Sequence, residues 1–237
     1  MRIKLSLVAL LPIIFAGCGG VSSTPPSAPI TYQPSTTSSL SPALRESISY
    51  MYDEERLAHD VYLAIYNKQP VYQLYRIASG SEVRHIQAVE SLANKYGIKL
   101  HRYPPGRYYH SDVQNLYYTL YRKGIRSKKD ALEVGCMVEV KDVEDLNRYI
   151  AQARAEGAYD VASTYEFLRR GSYNHYWSFD RGLKQLGVSS GCCSLGSKYC
   201  HPEYPQNERG GGYGRGGGRG KGYGYGRGRG YGKWRSF

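Results

Sequence analysis

Glu82 and His85 stand three residues apart within Ser81-Glu82-Val83-Arg84-His85-Ile86. In a helix that spacing sets a carboxylate and an imidazole about a turn apart on one face. On an inward face, such a Glu-x-x-His pair supplies half the donors of a carboxylate-bridged two-metal centre between four helices. Alone it is a weak signal, because the motif arises by chance and an exposed copy does nothing. The chemistry needs further donors on three other helices.

The apolar periodicity supplies them. A first helix opens at Ser41-Pro42, a capping residue followed by proline at the first helical position. Ile48, Met51, Glu55, Ala58, Tyr62 and Tyr66 form its stripe, so Glu55 points into apolar surroundings, where an unpaired carboxylate is costly. Asp53 and Glu54 fall off the stripe and read as solvated; His59 and Asp60 read as surface groups or as groups outside the ligand set. Pro70 breaks the chain, and a second helix reads over 72–96, with Ala78, Glu82, His85, Val89 and Ala93 inside and Gly97 as its stop. A loop over 101–110 and a short amphipathic helix over 111–122 form the crossover that an up-down bundle needs at this point. The third long helix opens at Ser127 and lines up Leu132, Gly135, Glu139, Asp142, Leu146 and Tyr149, with Glu133, Glu144 and Asp145 facing elsewhere. The fourth, over 159–186, lines up Leu168, Gly171, His175, Phe179 and Leu186, with Ser172 one turn before His175. Each donor also has a bland reading, as a hydrogen-bonded core histidine or a glutamate paired with arginine. Four helices each bringing one mid-stripe donor favour the metal centre: Glu55, then Glu82 and His85, then Glu139 with Asp142, then His175.

Three segments carry a family resemblance. Glu55-Arg56-Leu57-Ala58-His59-Asp60-Val61-Tyr62 is similar to the E-x-x-A-x-x-x-Y of the first helix in rubrerythrin-like proteins, and Ser81-Glu82-Val83-Arg84-His85 resembles their second-helix E-x-R-H. Glu54-Glu55-Arg56-Leu57-Ala58, Val134-Gly135-Cys136-Met137-Val138-Glu139 and Leu168-Arg169-Arg170-Gly171-Ser172-Tyr173-Asn174-His175 look more closely like an uncharacterised ferritin-like family, domain of unknown function 2202. The resemblance implies an all-α, ferritin-like four-helix bundle and a centre for two iron ions, with manganese as the alternative metal. It implies no particular reaction. One departure stands out: the general pattern asks for Glu-x-x-His on the fourth helix, and here Ser172 takes the glutamate's place. Asp142, one turn after Glu139, is the expected substitute; otherwise the centre holds one ion, or two unequally.

The remaining chain places that bundle, expected over residues 41–188, between low-complexity ends expected to be disordered. Residues 1–18 read as an export signal: Arg2 and Lys4 precede an apolar run too short to span a bilayer. Phe15-Ala16-Gly17-Cys18-Gly19 resembles the lipobox of bacterial lipoproteins, which implies lipidation of Cys18 and attachment to a cell-envelope membrane; cleavage by an ordinary signal peptidase is the other option. Residues 19–40 form an uncharged Ser/Thr/Pro tether. In residues 189–209, Cys192, Cys193 and Cys200 predict a disulfide from Cys200 to one of the adjacent pair, with a Cys/His metal clip as the alternative. A second bridge would require distant Cys136, which reads as an apolar core cysteine. Residues 210–237 carry Arg215, Arg219, Lys221, Arg227, Arg229, Lys233 and Arg235 among glycines and tyrosines, seven of the formal +12 charge. They predict either an anionic-polymer-binding tail or a merely solubilising one. Of 237 residues, 25 are tyrosine and four phenylalanine, so core tyrosines must find partners for their hydroxyls. Two functions follow: a redox enzyme acting on oxygen, peroxide or ferrous iron, or a non-catalytic protein that binds metal or, through its tail, cell-envelope polyanions.

Overall fold

The structure, a computed structural model, describes residues 40–206. The signal, Cys18, the basic tail and the tether up to residue 39 lie outside the described residues, while Leu40, read as the tether's last residue, is buried in the core. Within them the chain is all helical: α1 (Pro42–Tyr66), α2 (Tyr72–Ile77), α3 (Val83–Lys95), α4 (Ser111–Gly124), α5 (Lys128–Ala155) and α6 (Tyr159–Gln185). Between α2 and α3 runs a π-helical turn, Ala78–Glu82, so the two form one interrupted rod. The second helix read from periodicity is therefore not uniform. Its break falls on Ala-Ser-Gly-Ser-Glu, and π turns of this kind concentrate at functional sites. Among the described residues, no helix is long and apolar enough to cross a membrane.

Capping sets the helix starts. Ser41 Oγ accepts from the Leu44 amide at 3.1 Å, ahead of Pro42. Ser127 Oγ accepts from the Asp130 amide at 3.0 Å and donates back to the Asp130 carboxylate at 2.7 Å. α5 and α6 are joined by a turn through Gly157 (φ 71°) and pack along their length. Their contact is close: a Cβ on Gly135 would come within 2.4 Å of the Phe179 ring.

Two apolar clusters fill the bundle. One holds Leu57, Tyr62, Leu74, Ile77, Leu132, Tyr176 and Phe179; the other holds Leu44, Ile48, Met51, Val89, Leu146, Val161 and Leu168. On α1 the change from one cluster to the other brackets Glu55. Across the second rod it brackets Glu82 and His85, and on α6 it brackets Ser172 and His175. On α5 it falls after Val143, one turn beyond Glu139. A polar layer thus lies between two dry ones. The core tyrosines are satisfied: Tyr165 OH lies 2.8 Å from Ser47 Oγ, and Tyr176 OH donates to the Tyr199 carbonyl at 2.9 Å.

The crossover changes the reading of α1. Residues 100–124 cover its outer side over Asp53 and Asp60, and Lys141 of α5 meets Glu54, so all three acids are buried rather than solvated. Asp53 accepts from the amides of Tyr109 and His110 (2.8 and 3.0 Å) and contacts His110 Nδ1 at 2.8 Å. Asp60 accepts from the Gly106 amide at 2.9 Å and Tyr108 OH at 3.1 Å, which ties it to the crossover. Arg56 caps the carbonyl of Tyr103 at 2.7 Å. On α5, Glu133 and Asp145 are also buried, the first against Lys123 and Lys129, the second against Lys141 and Arg148.

The cysteine segment differs too. Among the described residues there are two bridges, Cys136–Cys192 and Cys193–Cys200. Cys136 is not a free core cysteine, and the bridges leave no thiolates for a Cys/His clip. The first bridge closes a 56-residue separation that spacing alone could not assign. The segment packs as part of the bundle: Cys192 and Tyr204 join the first cluster, and Trp177 Nε1 donates to the Tyr204 carbonyl at 3.0 Å.

Candidate metal centre

Glu55 from α1, Glu82 from the π turn, His85 from α3, Glu139 from α5 and His175 from α6 converge in the polar layer, each almost completely buried. They form two overlapping groups whose donor atoms lie within 4.8 Å of one another: Glu55, Glu82 and His85, and Glu82, Glu139 and His175. Glu82 belongs to both. Its Oε2 lies 3.0 Å from His85 Nδ1 and its Oε1 lies 3.0 Å from His175 Nδ1. His85 Nδ1 also meets Glu55 Oε2 at 3.1 Å, and His175 Nδ1 lies 3.3 Å from Glu139 Oε2. The imidazole centroids are 5.5 Å apart.

The His85–Glu55 contact is a hydrogen bond, whereas the imidazole contacts to Glu82 and Glu139 are close but poorly aligned as hydrogen bonds. Among the described residues Glu55 Oε1, Glu82 Oε1 and His175 Nδ1 are buried with no hydrogen-bond partner, although His175 Nδ1 and Glu82 Oε1 are only 3.0 Å apart. Buried polar atoms are normally paired. Lone pairs converging without donors suit a cation, so these residues could hold a metal ion.

Outer contacts orient the donors as metal ligands usually require. His175 Nε2 lies 2.6 Å from Ser81 Oγ, which in turn reaches the Ile77 carbonyl at 3.3 Å. With Nε2–H donating to Ser81, Nδ1 is the nitrogen turned toward the carboxylates, and it carries the lone pair once the ring is neutral. Tyr62 OH donates to Glu139 Oε1 at 2.6 Å, leaving Oε2 toward His175. A Cβ on Gly171 would come within 2.3 Å of His85 Nε2, so only glycine leaves room for that ring.

Residues 45–198 match the family described as an uncharacterised protein domain (DUF2202). The chain belongs to that family. It is similar to the uncharacterised protein MJ0754 of Methanocaldococcus jannaschii, 37% identical over 145 residues that cover 60% of this chain and 76% of the relative. Against the crystal structure of the hypothetical protein MJ0754 from Methanococcus jannaschii the TM-score is 0.59, at 37% identity, covering 62% of this chain and 83% of that one.

In this DUF2202 chain, Asp142 lies outside both donor groups. It is buried one turn beyond Glu139, and its Oδ2 accepts from Ser172 Oγ at 2.8 Å. The residue in the expected glutamate's place is thus the one that holds the expected substitute. Electrostatics follow from crowding. Burial pushes the Glu55 carboxyl up to about 7 despite His85 beside it. Burial also acts to raise Glu82, but His175 and His85 outweigh it and hold that carboxyl well below the ordinary range. Burial opposes a charge on His175, yet Glu82 and Glu139 carry it up to about 9. Burial raises Asp142, reinforced by Glu55, Glu54 and Glu139. Glu55, Glu82, Glu139 and Asp142 together could neutralise two divalent cations. Two imidazolium ions balance only half of them.

Sequence reasoning missed the π turn and the role of Ser81. The cluster of small polar residues from Ser79 to Ser81 was the available signal.

Proposed function

We propose that this chain is a ferritin-like two-metal protein that binds two iron ions, or two manganese ions, through Glu55, Glu82, His85, Glu139 and His175. One observation carries the reading: Glu82 turns one oxygen toward each imidazole, as a carboxylate shared by two ions would. The donor set is carboxylate and imidazole without thiolate, which suits such metals better than soft ones. Bound there, the ions supply redox chemistry toward oxygen, peroxide or ferrous iron. The chain's own part is to hold donors and exclude water. Tyr62 fixes Glu139, Ser81 fixes the His175 tautomer, and Asp142, held by Ser172, supplies the remaining negative charge. A second reading, metal buffering without turnover, is favoured by Ser172, which removes one carboxylate from the general ligand pattern.

The proposal extends to the ends of the chain: export, anchoring through a lipidated Cys18, and attachment of anionic polymers to the basic tail. The two disulfides support an oxidising compartment. The test of the centre is metal analysis of the purified full chain. Two ions per chain are expected in the wild type and none in Glu82→Gln, while exposed Glu144→Gln keeps both. A Glu82→Gln protein that retains its metal overturns the reading.

A further inference from the structure

A cleft of about 560 Å³ opens onto the two imidazoles, with His85, His175, Gly171 and Ser81 in its wall. That volume lies in the roughly 300–1,000 Å³ range of small-molecule sites. Three arginines line it, Arg76, Arg84 and Arg170, and among the described residues no carboxylate does. A smaller adjoining cleft shares Arg76 and adds Arg181, again without an acid. Some arginines elsewhere on the described chain pair with acids, as Arg102 does with Glu90 and Arg154 with Glu166, while Arg45, Arg107 and Arg169 bond neutral oxygens. Among the described residues none of the four cleft arginines has an ion-pair partner; Arg76 makes only a 3.4 Å contact to Ser178 Oγ. The placement follows from the helices: Arg84 directly precedes His85 and Arg170 directly precedes Gly171, so the turns that send donors inward send guanidinium groups to the mouth.

We propose that this cleft binds a phosphate-type oxyanion, free or as a small monoester, at the entrance to the metal centre. Guanidinium forks match such oxygens bidentately and give up their hydration more readily than ammonium groups. Three of them offer more positive charge than a single carboxylate can answer, whereas a tetrahedral dianion can bridge them. Unneutralised, the three cations repel one another around a shared cavity, and an anion removes that cost. The wall formed by both imidazoles makes the bound anion a neighbour of the centre. That it is the centre's substrate or co-ligand rests on the reading given under Proposed function; that it binds does not.

The test is calorimetric titration of inorganic phosphate, and separately of phenyl phosphate, into the full-length protein with and without added metal. Chloride at about 0.15 M screens loose association with exposed cations. One saturable equivalent is expected on the wild type. Arg84→Gln with Arg170→Gln should weaken binding at least tenfold, Arg84→Lys with Arg170→Lys should fall between, and Arg122→Gln on α4 should leave it unchanged. Circular dichroism and metal content should match the wild type in every variant. Tighter binding of phenyl phosphate would identify an esterified ligand, and tighter binding of phosphate a free one; either supports the site. No saturable binding to the wild type, or equal binding by the double glutamine variant, overturns it. Arginine-dependent binding that persists in a chain shown to hold no metal would keep the cleft while removing the centre.

Discussion

The two sides of α1 bury acids in opposite ways. On the outer side, Asp53 meets two amides, His110 and, at 3.9 Å, Arg56, while Glu54 meets Lys141 at 2.7 Å. On the inner side, Glu55 meets only His85 and further acids. Burial does not distinguish the two sides, and neither does a stray unpartnered oxygen, since Asp53 Oδ1 and Glu54 Oε2 are also left without hydrogen bonds. The difference is in the supply of positive charge. The outer acids have lysine, arginine and backbone donors within reach, and their cluster closes without help. The inner layer gathers four carboxylates around two imidazoles, and nothing among the described residues completes it. A buried acidic cluster is a metal candidate when its own protein leaves the charge open.

The sharpest test of this contrast pairs one variant from each side. Glu82→Gln removes the shared carboxylate, so both ions should be lost; even outer-shell changes at metal sites cost about 10–100-fold in affinity. Asp53→Ala should do the reverse. It strands two amides and the His110 ring and should cost about 3 kcal/mol in unfolding free energy while the metal content stays at two. Thermal melting and metal analysis on both proteins read the two quantities separately. If Asp53→Ala loses metal as completely as Glu82→Gln, the two sides form one network and the contrast fails.

Much of the inner side was legible in the sequence because its signal is local. Glu55, Glu82, His85, Glu139 and His175 each interrupt an apolar stripe, and stripes follow from helical period alone. The outer side was not legible. Asp53 and Glu54 are off-stripe acids, and it is the return of residues 100–124 over Asp53 and the approach of Lys141 on α5 to Glu54 that give them partners. No spacing within α1 encodes that return. The Cys136–Cys192 bridge was hidden for the same reason, as a contact between distant positions. The π turn is a different kind of miss: the 3.6-residue period brought Glu82 and His85 to the right face, but an inserted residue within that turn has no apolar marker. The arginine cleft was invisible because Arg76, Arg84 and Arg170 are ordinary exposed residues until the bundle brings them to one opening.

A smaller effect comes from pH and concerns only the inner side. Metal binding needs a neutral imidazole at Nδ1, and without metal His175 holds its proton up to about 9. Affinity should therefore fall as pH drops below that value. The fall should steepen below about 7, where Glu55 also takes up a proton. Each proton displaced is worth about tenfold in affinity per pH unit. Proton release measured on metal addition in weak buffer should match that slope. An affinity unchanged between about pH 6 and 8 would mean that the ligands are not the groups named.

Asp142 provides the finest distinction, because it lies in the inner layer without joining either donor group. Its carboxyl is raised by burial and by neighbouring acids, so in the metal-free protein it is already inclined to be neutral. Asp142→Asn keeps the shape and still offers Ser172 an oxygen. It should leave the melting temperature of the metal-free protein unchanged or slightly higher. When cations enter, the position is asked for a charge that asparagine cannot give, and affinity should fall about tenfold, within the range of outer-shell substitutions. Glu144→Gln, exposed on the same helix, controls for the general loss of one negative charge. A stability loss in Asp142→Asn without a metal effect would make the Ser172–Asp142 bond a structural tie like those of the outer side. Loss of one ion with retention of the other would make Asp142 a direct ligand.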